Sequence, residues 1–354
     1  MLGVSIADIS LVKAATTTNL EVLKENQSID DKLREKILSM AEGMYSENVT
    51  IGEPVSVYNS DEDKFFTAYP LLNNMNECVL LAQVDGEVVN LTTDMKWYEN
   101  MGSKLGEGQY IIYVNAGKVY AENNEESVEL EDTKYCIQNS DDEFISYSFS
   151  DKVNQMENNS SGDTEFDLYD DSVYDVATYG DVDDTDDTDD TDDTDDDTLY
   201  GVVSGRCNIT NFVKQGSYNL CWAASVATIV NYKKHKSFSA KHIADAMNIS
   251  YDTGATLGQT LSAVRHYGLS YNSKERKITW SLIKKRITTN NRPFIVALSS
   301  SIGGHMITAY GYYSSSGLTK AVEYWDPNGA KGAFIYGEPV HLYGYEFQWV
   351  ATVY

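Results

Sequence analysis

The sequence predicts an α+β fold in two folded parts joined by an acidic tether, and three observations carry that reading. One amphipathic helix followed by several short β-rich runs occupies residues 16–147. Residues 148–198 become polar and end in repeated Asp-Asp-Thr. Residues 199–354 return to a core-forming composition, with helical signals first and strand signals after. A length of 354 residues with 42% apolar side chains suffices for two domains and a linker.

Met1 to Ala15 contains Asp8 and lacks a basic leading stretch, so residues 1–15 match at most a trimmed signal-peptide remnant, with Val12-Lys13-Ala14 before the cut. Secretion or display at the cell surface is the corresponding expectation. No run approaches the roughly 20 apolar residues of a membrane-spanning helix. Ser28 to Asp31 supplies an N-cap, and Leu33, Ile37, Met40, Ala41 and Met44 follow at helical spacing. Strands are expected at Phe65 to Leu72, Cys78 to Val84, Val88 to Leu91, Gln109 to Val114 and Lys118 to Ala121, with turns at Asp85-Gly86 and Ala116-Gly117. This α+β part ends near Tyr147.

Asp181 to Thr198 holds 12 aspartates and no basic residue. Self-repulsion and few apolar side chains predict a solvated, extended linker open to proteolysis. The repeat lacks the glycine turns and closing glutamate of calcium loops. From Gly201 onward, 16 Lys and Arg stand against 7 Asp and Glu, whereas the first 200 residues hold 11 basic and 47 acidic groups. Opposite charges on the two parts predict electrostatic docking of one on the other.

The second part shows helical signals at Cys221 to Tyr232, Ser239 to Met247, Thr256 to Tyr267 and Thr279 to Thr288. Strand signals follow at Phe294 to Leu298, Met306 to Tyr313, Ala321 to Trp325, Gly332 to Ile335 and Glu346 to Val353. A helical half and a β half facing each other across a cleft are expected. Cys78, Cys136, Cys207 and Cys221 form no Cys-x-x-Cys pair and no zinc spacing, so no metal and no cofactor are expected. Cys78 and Cys136 form either one disulfide or two free thiols, and Cys207 reads as structural. His235, His242, His266 and His341 occupy ordinary helical or loop positions. The basic groups Lys274 to Lys277 and Lys284 to Arg286 lack the setting of a nucleic-acid site and read as a solvated face.

Chemistry concentrates in three segments. In Gln215-Gly216-Ser217-Tyr218-Asn219-Leu220-Cys221-Trp222-Ala223-Ala224-Ser225, Cys221 begins a helix, where a thiolate is stabilised. Gln215 can swing its amide beside the Cys221 N–H to cradle an oxyanion. In Gly303-Gly304-His305-Met306, the histidine enters an apolar strand and can take the Cys221 proton, while the glycines admit an extended substrate backbone. In Trp325-Asp326-Pro327-Asn328, Asp326 or else Asn328 can orient the imidazole.

These residues resemble the papain-like cysteine proteases. Gln-Gly-Ser followed by Cys-Trp-Ala, with six residues from Gln215 to Cys221, is very similar to the family's active-site signature. The domain resembles compact bacterial members, staphopain-like and bacteriocin-leader-processing peptidases. It differs from the plant pattern in having Asp in Trp-Asp-Pro and in having Tyr218 at a disulfide cysteine position. The resemblance implies Cys221 as nucleophile, His305 as base, Gln215 as oxyanion donor and Asp326 as orienting residue, with Gly303, Gly304 and Trp222 against the substrate. It also implies a zymogen in which residues 16–147 are a pro-domain that assists folding and inhibits within the chain.

The expected activity is hydrolysis of peptide or protein substrates through a thioester, with activation by cleavage in the acidic linker. A monomer is expected, with no nucleic acid and no membrane span. A dedicated processing peptidase or transferase of the same fold is the alternative, and an idle binding or adhesion protein is a third reading. Intact Gln215, Cys221 and His305 weigh against the last.

Overall fold

The computed structural model describes residues 9–13, 20–25, 29–45, 47–62, 64–115, 117–123, 126–132, 203–315 and 319–354. The polar stretch 148–198, Cys136 and most of residues 1–15 lie outside them.

The first part begins with a hairpin of β1 (Ile9–Lys13) and β2 (Leu20–Glu25). Helix α1 (Asp31–Met44) follows, and the Asp30 carboxylate caps it by accepting the Leu33 N–H at 2.7 Å. Its buried stripe of Ile37, Met40 and Ala41 is the one the periodicity marks. Strands β3 (Thr50–Ile51), β4 (Val55–Asn59), β5 (Lys64–Leu72), β6 (Cys78–Asp85) and β7 (Val88–Thr92) lead to α2 (Lys96–Lys104). The part closes with β8 (Gly108–Asn115), β9 (Lys118–Glu122) and β10 (Ser127–Asp132). The five expected strands are present, each one or two residues longer. Sequence reasoning missed β4, which runs parallel to β8, and α2, whose N-cap Met95 offers no side-chain acceptor.

The second part opens with β11 (Val203–Arg206) and the central helix α3 (Cys221–Lys234). Helices α4 (Ala240–Ala246) and α5 (Leu257–His266) are capped by Ser239 and Thr256, the latter in a full capping box with Gln259. After β12 (Ser273–Lys274), α6 (Trp280–Lys284) widens into a π-turn over Lys285–Thr289. A β half then forms from β13 (Phe294–Ser300), β14 (Gly303–Ser315), β15 (Thr319–Asp326), β16 (Ala330–Ile335), β17 (Val340–Leu342) and β18 (Tyr345–Val353). From Cys221 to Asn231 every residue of α3 is buried. A helix apolar on all sides belongs inside, and α3 packs between α4, α5 and strands β13 and β14.

The two parts share one sheet. Strand β7 pairs antiparallel with β16, matching Leu91 to Ala333, which extends the ladder from β6 through β15 and β14. Gly332 permits this approach, because a Cβ there would lie 2.5 Å from the Leu91 carbonyl oxygen. Two of the three apolar cores mix residues of both parts. One joins Val57, Phe66 and Val114 to Leu342, Tyr345 and Phe347, and another joins Ile37, Met40 and Leu91 to Tyr313, Ala321 and Ala333.

Among the described residues the seam is joined by paired strands, shared apolar cores and side-chain hydrogen bonds such as Asn59 to Gly344. The ion pair seen across it, Lys64 to Glu346 at 3.5 Å, has its basic group on the first part rather than on a basic face of the second. The acidic stretch 148–198 lies outside the described residues. Arg286 also departs from the expected solvated face. The π-turn points it inward, and its guanidinium stacks 4.7 Å from the Tyr271 ring centroid. His341 is buried on β17 rather than on a helix or loop.

Candidate active site

Cys221, His305 and Asp326 come together from three separate segments, and the backbone of Gln215 is tied beside them. Cys221 is the first residue of α3, where the first-turn N–H groups have no acceptor within the helix and the helix dipole favours negative charge. The loop before it turns at Gly216, whose φ of +74° suits glycine. That loop is fastened at both ends. The Gln215 N–H donates to the Pro327 carbonyl at 2.9 Å, and the Asn219 N–H donates to the Tyr251 carbonyl at 2.9 Å. Gln215 is thereby tied to the turn that carries Asp326.

His305 enters β14 after Gly303 and Gly304, and it is buried. Its Nε2 lies 3.0 Å from Asp326 Oδ1. Cys221 is its other hydrogen-bond partner, which assigns Nδ1 to the thiol. Burial opposes charging the ring, but the Asp326 carboxylate and the hydrogen bonds to Asp326 and Cys221 outweigh it, pushing His305 up to about 10. Burial likewise opposes ionisation of Asp326, yet His305, Tyr343 and the Asn328 N–H hold its carboxyl below the ordinary value. An imidazolium between a thiol and a carboxylate favours the thiolate, the nucleophilic form.

Between the two residues left open by sequence, the geometry selects Asp326. Asn328 contacts no ring nitrogen of His305; its N–H donates to Asp326 Oδ1 at 2.9 Å and its Nδ2 to the Tyr343 hydroxyl at 2.6 Å. Trp222 is not placed to meet a substrate. It is 1% exposed, because the helix turns it away from Cys221 into the core. Gly303 and Gly304 remain half-exposed at the start of β14. Tyr312 and Trp325 are buried, and Trp325 stacks on Phe212 at 4.8 Å.

Sequence reasoning missed Tyr343. Its hydroxyl donates to Asp326 Oδ2, and its backbone φ is +59°, a conformation that costs a bulky residue about 1–2 kcal/mol. The preceding Leu342 and following Tyr345 face each other in the ladder, so Tyr343-Gly344 is a two-residue hairpin turn, where Asn-Gly is the usual choice. A tyrosine before glycine between two strands was the available signal.

The other described thiols, Cys78 and Cys207, are poor nucleophiles. Burial pushes Cys207 up to about 12 and Cys78 up to about 11, and Cys78 is a free thiol. Behind Asp326 lies a cavity between the two parts, lined among others by Asp94, Glu131, His341 and Tyr343. Burial and then Asp94 push Glu131 up to about 7, and burial and then Asp326 raise Asp94. Asp85, His341 and Glu346 bring ligand atoms within 4.8 Å of one another, but the Lys64 ammonium, 3.2 Å from Asp85 and 3.5 Å from Glu346, already supplies a cation there.

No curated protein matches the chain. Residues 203–334 match the family described as Papain-like cysteine protease AvrRpt2, a span that contains Gln215, Cys221, His305 and Asp326 and stops short of Tyr343. Residues 203–334 are thus a domain of the papain-like cysteine protease AvrRpt2 family, and that family is one of cysteine peptidases.

Proposed function

We propose that the chain is the zymogen of a cysteine endopeptidase, with Cys221, His305, Asp326 and Gln215 as its working residues. The observation that carries this is His305 held between Cys221 and Asp326. The Cys221 thiolate attacks a peptide carbonyl, and the Gln215 amide and the Cys221 N–H hold the resulting oxyanion. The His305 imidazolium protonates the leaving amine, which leaves a thioester on Cys221. Water gives a proton to His305 as its oxygen attacks the thioester carbonyl. The C–S bond breaks, the carboxylic acid product leaves, and the Cys221 thiolate beside the His305 imidazolium is restored.

In this reading residues 16–147 are a pro-domain acting from the side and rear of the site. Glu62 Oε1, in the β4–β5 turn, accepts from Ser301 Oγ at 3.3 Å on the hairpin that presents Gly303, Gly304 and His305. The shared sheet and cores support a role in folding as well. In this reading cleavage in the acidic linker cuts the tether while the shared sheet and cores keep the first part seated on the second. Export from the cell belongs to the same proposal and is checked by recovering the chain outside the cells that make it.

The test is incubation of purified full-length chain beside Cys221→Ala. Cleavage near the linker and labelling by a thiol-directed epoxide are expected for the first and not for the second. Cleavage that persists in Cys221→Ala, without contaminating protease, sinks self-activation. Failure of the native chain to label after cleavage counts against the peptidase mechanism itself.

A further inference from the structure

We propose that Tyr343 is a positioning residue for the Cys221–His305 pair, fixing Asp326 from the tip of the β17–β18 hairpin, and that the first part of the chain holds that tip in place. The inference rests on the peptidase reading above and names a means of regulating that site.

Both oxygens of Asp326 are engaged, and they are engaged differently. Oδ1 accepts from the Asn328 N–H at 2.9 Å and meets His305 Nε2 at 3.0 Å. Oδ2 accepts the Tyr343 hydroxyl proton. Without that second anchor the carboxylate can rotate away from the ring it orients. The Tyr343 hydroxyl in turn accepts from Asn328 Nδ2, so its proton is directed to Asp326.

The backbone of Tyr343 is strained, and strain persists where the surroundings over-determine a conformation. Here the surroundings belong to the other part of the chain. Asn59, fully buried at the end of β4, donates from Nδ2 to the Gly344 carbonyl at 2.6 Å. Its Oδ1 is fixed by the N–H groups of Asp61 and Glu62. The Tyr345 hydroxyl donates to Asp61 and accepts from the Gly117 N–H at 3.0 Å. A hydrogen bond from Asn59 to Gly344, the covalent hairpin tip Tyr343-Gly344, and hydrogen bonds from Tyr343 to Asp326 and on to His305 therefore form one connected line. If the seam opens, the tip loses its grip and the carboxylate loses its second anchor. The first part of the chain supports the machinery while attached, which is a different action from covering a cleft.

Several ionisable groups face this line: His305 and Cys221 in front, Tyr324 beside Asp326 on β15, His341 on β17, and Asp94 and Glu131 across the cavity. The test varies Tyr343 and leaves all of them in place. In the full-length chain, the rate of iodoacetamide alkylation of Cys221 is followed against pH by mass spectrometry of its peptide. Wild type, Tyr343→Phe and Asn59→Ala are compared.

Phenylalanine keeps the ring and removes only the hydroxyl, so Asp326 takes up a proton more readily. The acid limb of alkylation is expected to move up by about one pH unit, with peptidase kcat/KM falling roughly tenfold. Asn59→Ala shifts the limb in the same direction by less. An acid limb unmoved in Tyr343→Phe overturns the proposal, even if activity falls, because ring packing alone would not set a titration. Tyr343→Asn guards against a folding defect, since Asn suits the left-handed turn. A wild-type profile in that variant overturns the proposal too. If wild-type Cys221 alkylates only like an ordinary thiol, near pH 8.5, the activated-nucleophile reading fails with it; an activated wild type with unmoved variants sinks the Tyr343 role alone.

Discussion

The backbone N–H of Gln215 donates to the carbonyl of Pro327 across 2.9 Å, so the residue proposed to hold the oxyanion is tied to the turn that carries Asp326. The proposed oxyanion donor and imidazole orienter thus share one junction. Gln215→Ala keeps that backbone bond and removes only the amide. We expect kcat to fall by about 10²–10³ with KM nearly constant, as loss of one preorganised donor does. Steady-state kinetics on a peptide selected from a library checks it, and a change confined to KM would contradict the role.

Asp326 and Asn328 separate cleanly by mutation. Asp326→Asn removes the charge that sustains the His305 imidazolium, and kcat/KM is expected to fall by about 10²–10⁴. Asn328→Ala loses a hydrogen bond to Tyr343 and is expected to cost less than about tenfold. Equal losses in the two variants would refute the geometric choice.

His305 is held charged up to about 10, well above its ordinary 6.5. As the proton donor to the leaving amine, it should keep the enzyme active on the alkaline side of neutrality, with the basic limb toward pH 10. In the folding balance the same shift contributes stability that is complete below 6.5 and is lost as pH rises through about 10. A pH–rate profile with its basic limb near 6.5 would show that the ion pair is not formed.

Glu131 gives the opposite end of the chain a pH dependence. Its carboxyl is pushed from 4.5 up to about 7, so between those values the folded chain binds a proton that the unfolded chain has released. Stability should fall as pH rises through that window, by about 2–3 kcal/mol if Glu131 titrates alone. Glu131→Gln is expected to flatten the slope, read by urea unfolding at pH 5 and pH 7. An unchanged slope would mean that the carboxylate is accommodated in the cavity.

Gly332→Ala tests the seam. The added Cβ would press on the buried Tyr324 ring and, at 2.5 Å, on the Leu91 carbonyl across the seam, and the paired strands cannot yield without breaking ladder bonds. A destabilisation of about 1–3 kcal/mol is expected, together with faster proteolysis of residues 29–132. Native-like stability and proteolysis would show that β7 and β16 pair loosely.

Much of the fold was legible because its signals are local. Asp30, Ser239, Thr256 and Thr279 each accept the N–H three residues on, a contact written into adjacent sequence. Some of the elements that escaped notice are made by distant partners: β4 becomes a strand by lying between β5 and the parallel β8, and β11 by pairing with β14. Arg286 reads as a surface cation until Tyr271 and Tyr354 enclose it. Trp222 sits beside the nucleophile in sequence but faces the core in space.

By itself the sequence determined the chemistry of this protein: a cysteine at a helix start six residues after Gln215, and a histidine entering a strand behind two glycines. Each depends on a few neighbouring residues and the backbone conformations they favour. Only the tertiary structure decided between Asp326 and Asn328, brought Tyr343 to the unused carboxylate oxygen, and joined the two parts into one sheet. Those outcomes depend on strand register, and register is set by how apolar faces far apart in the chain come to share a core.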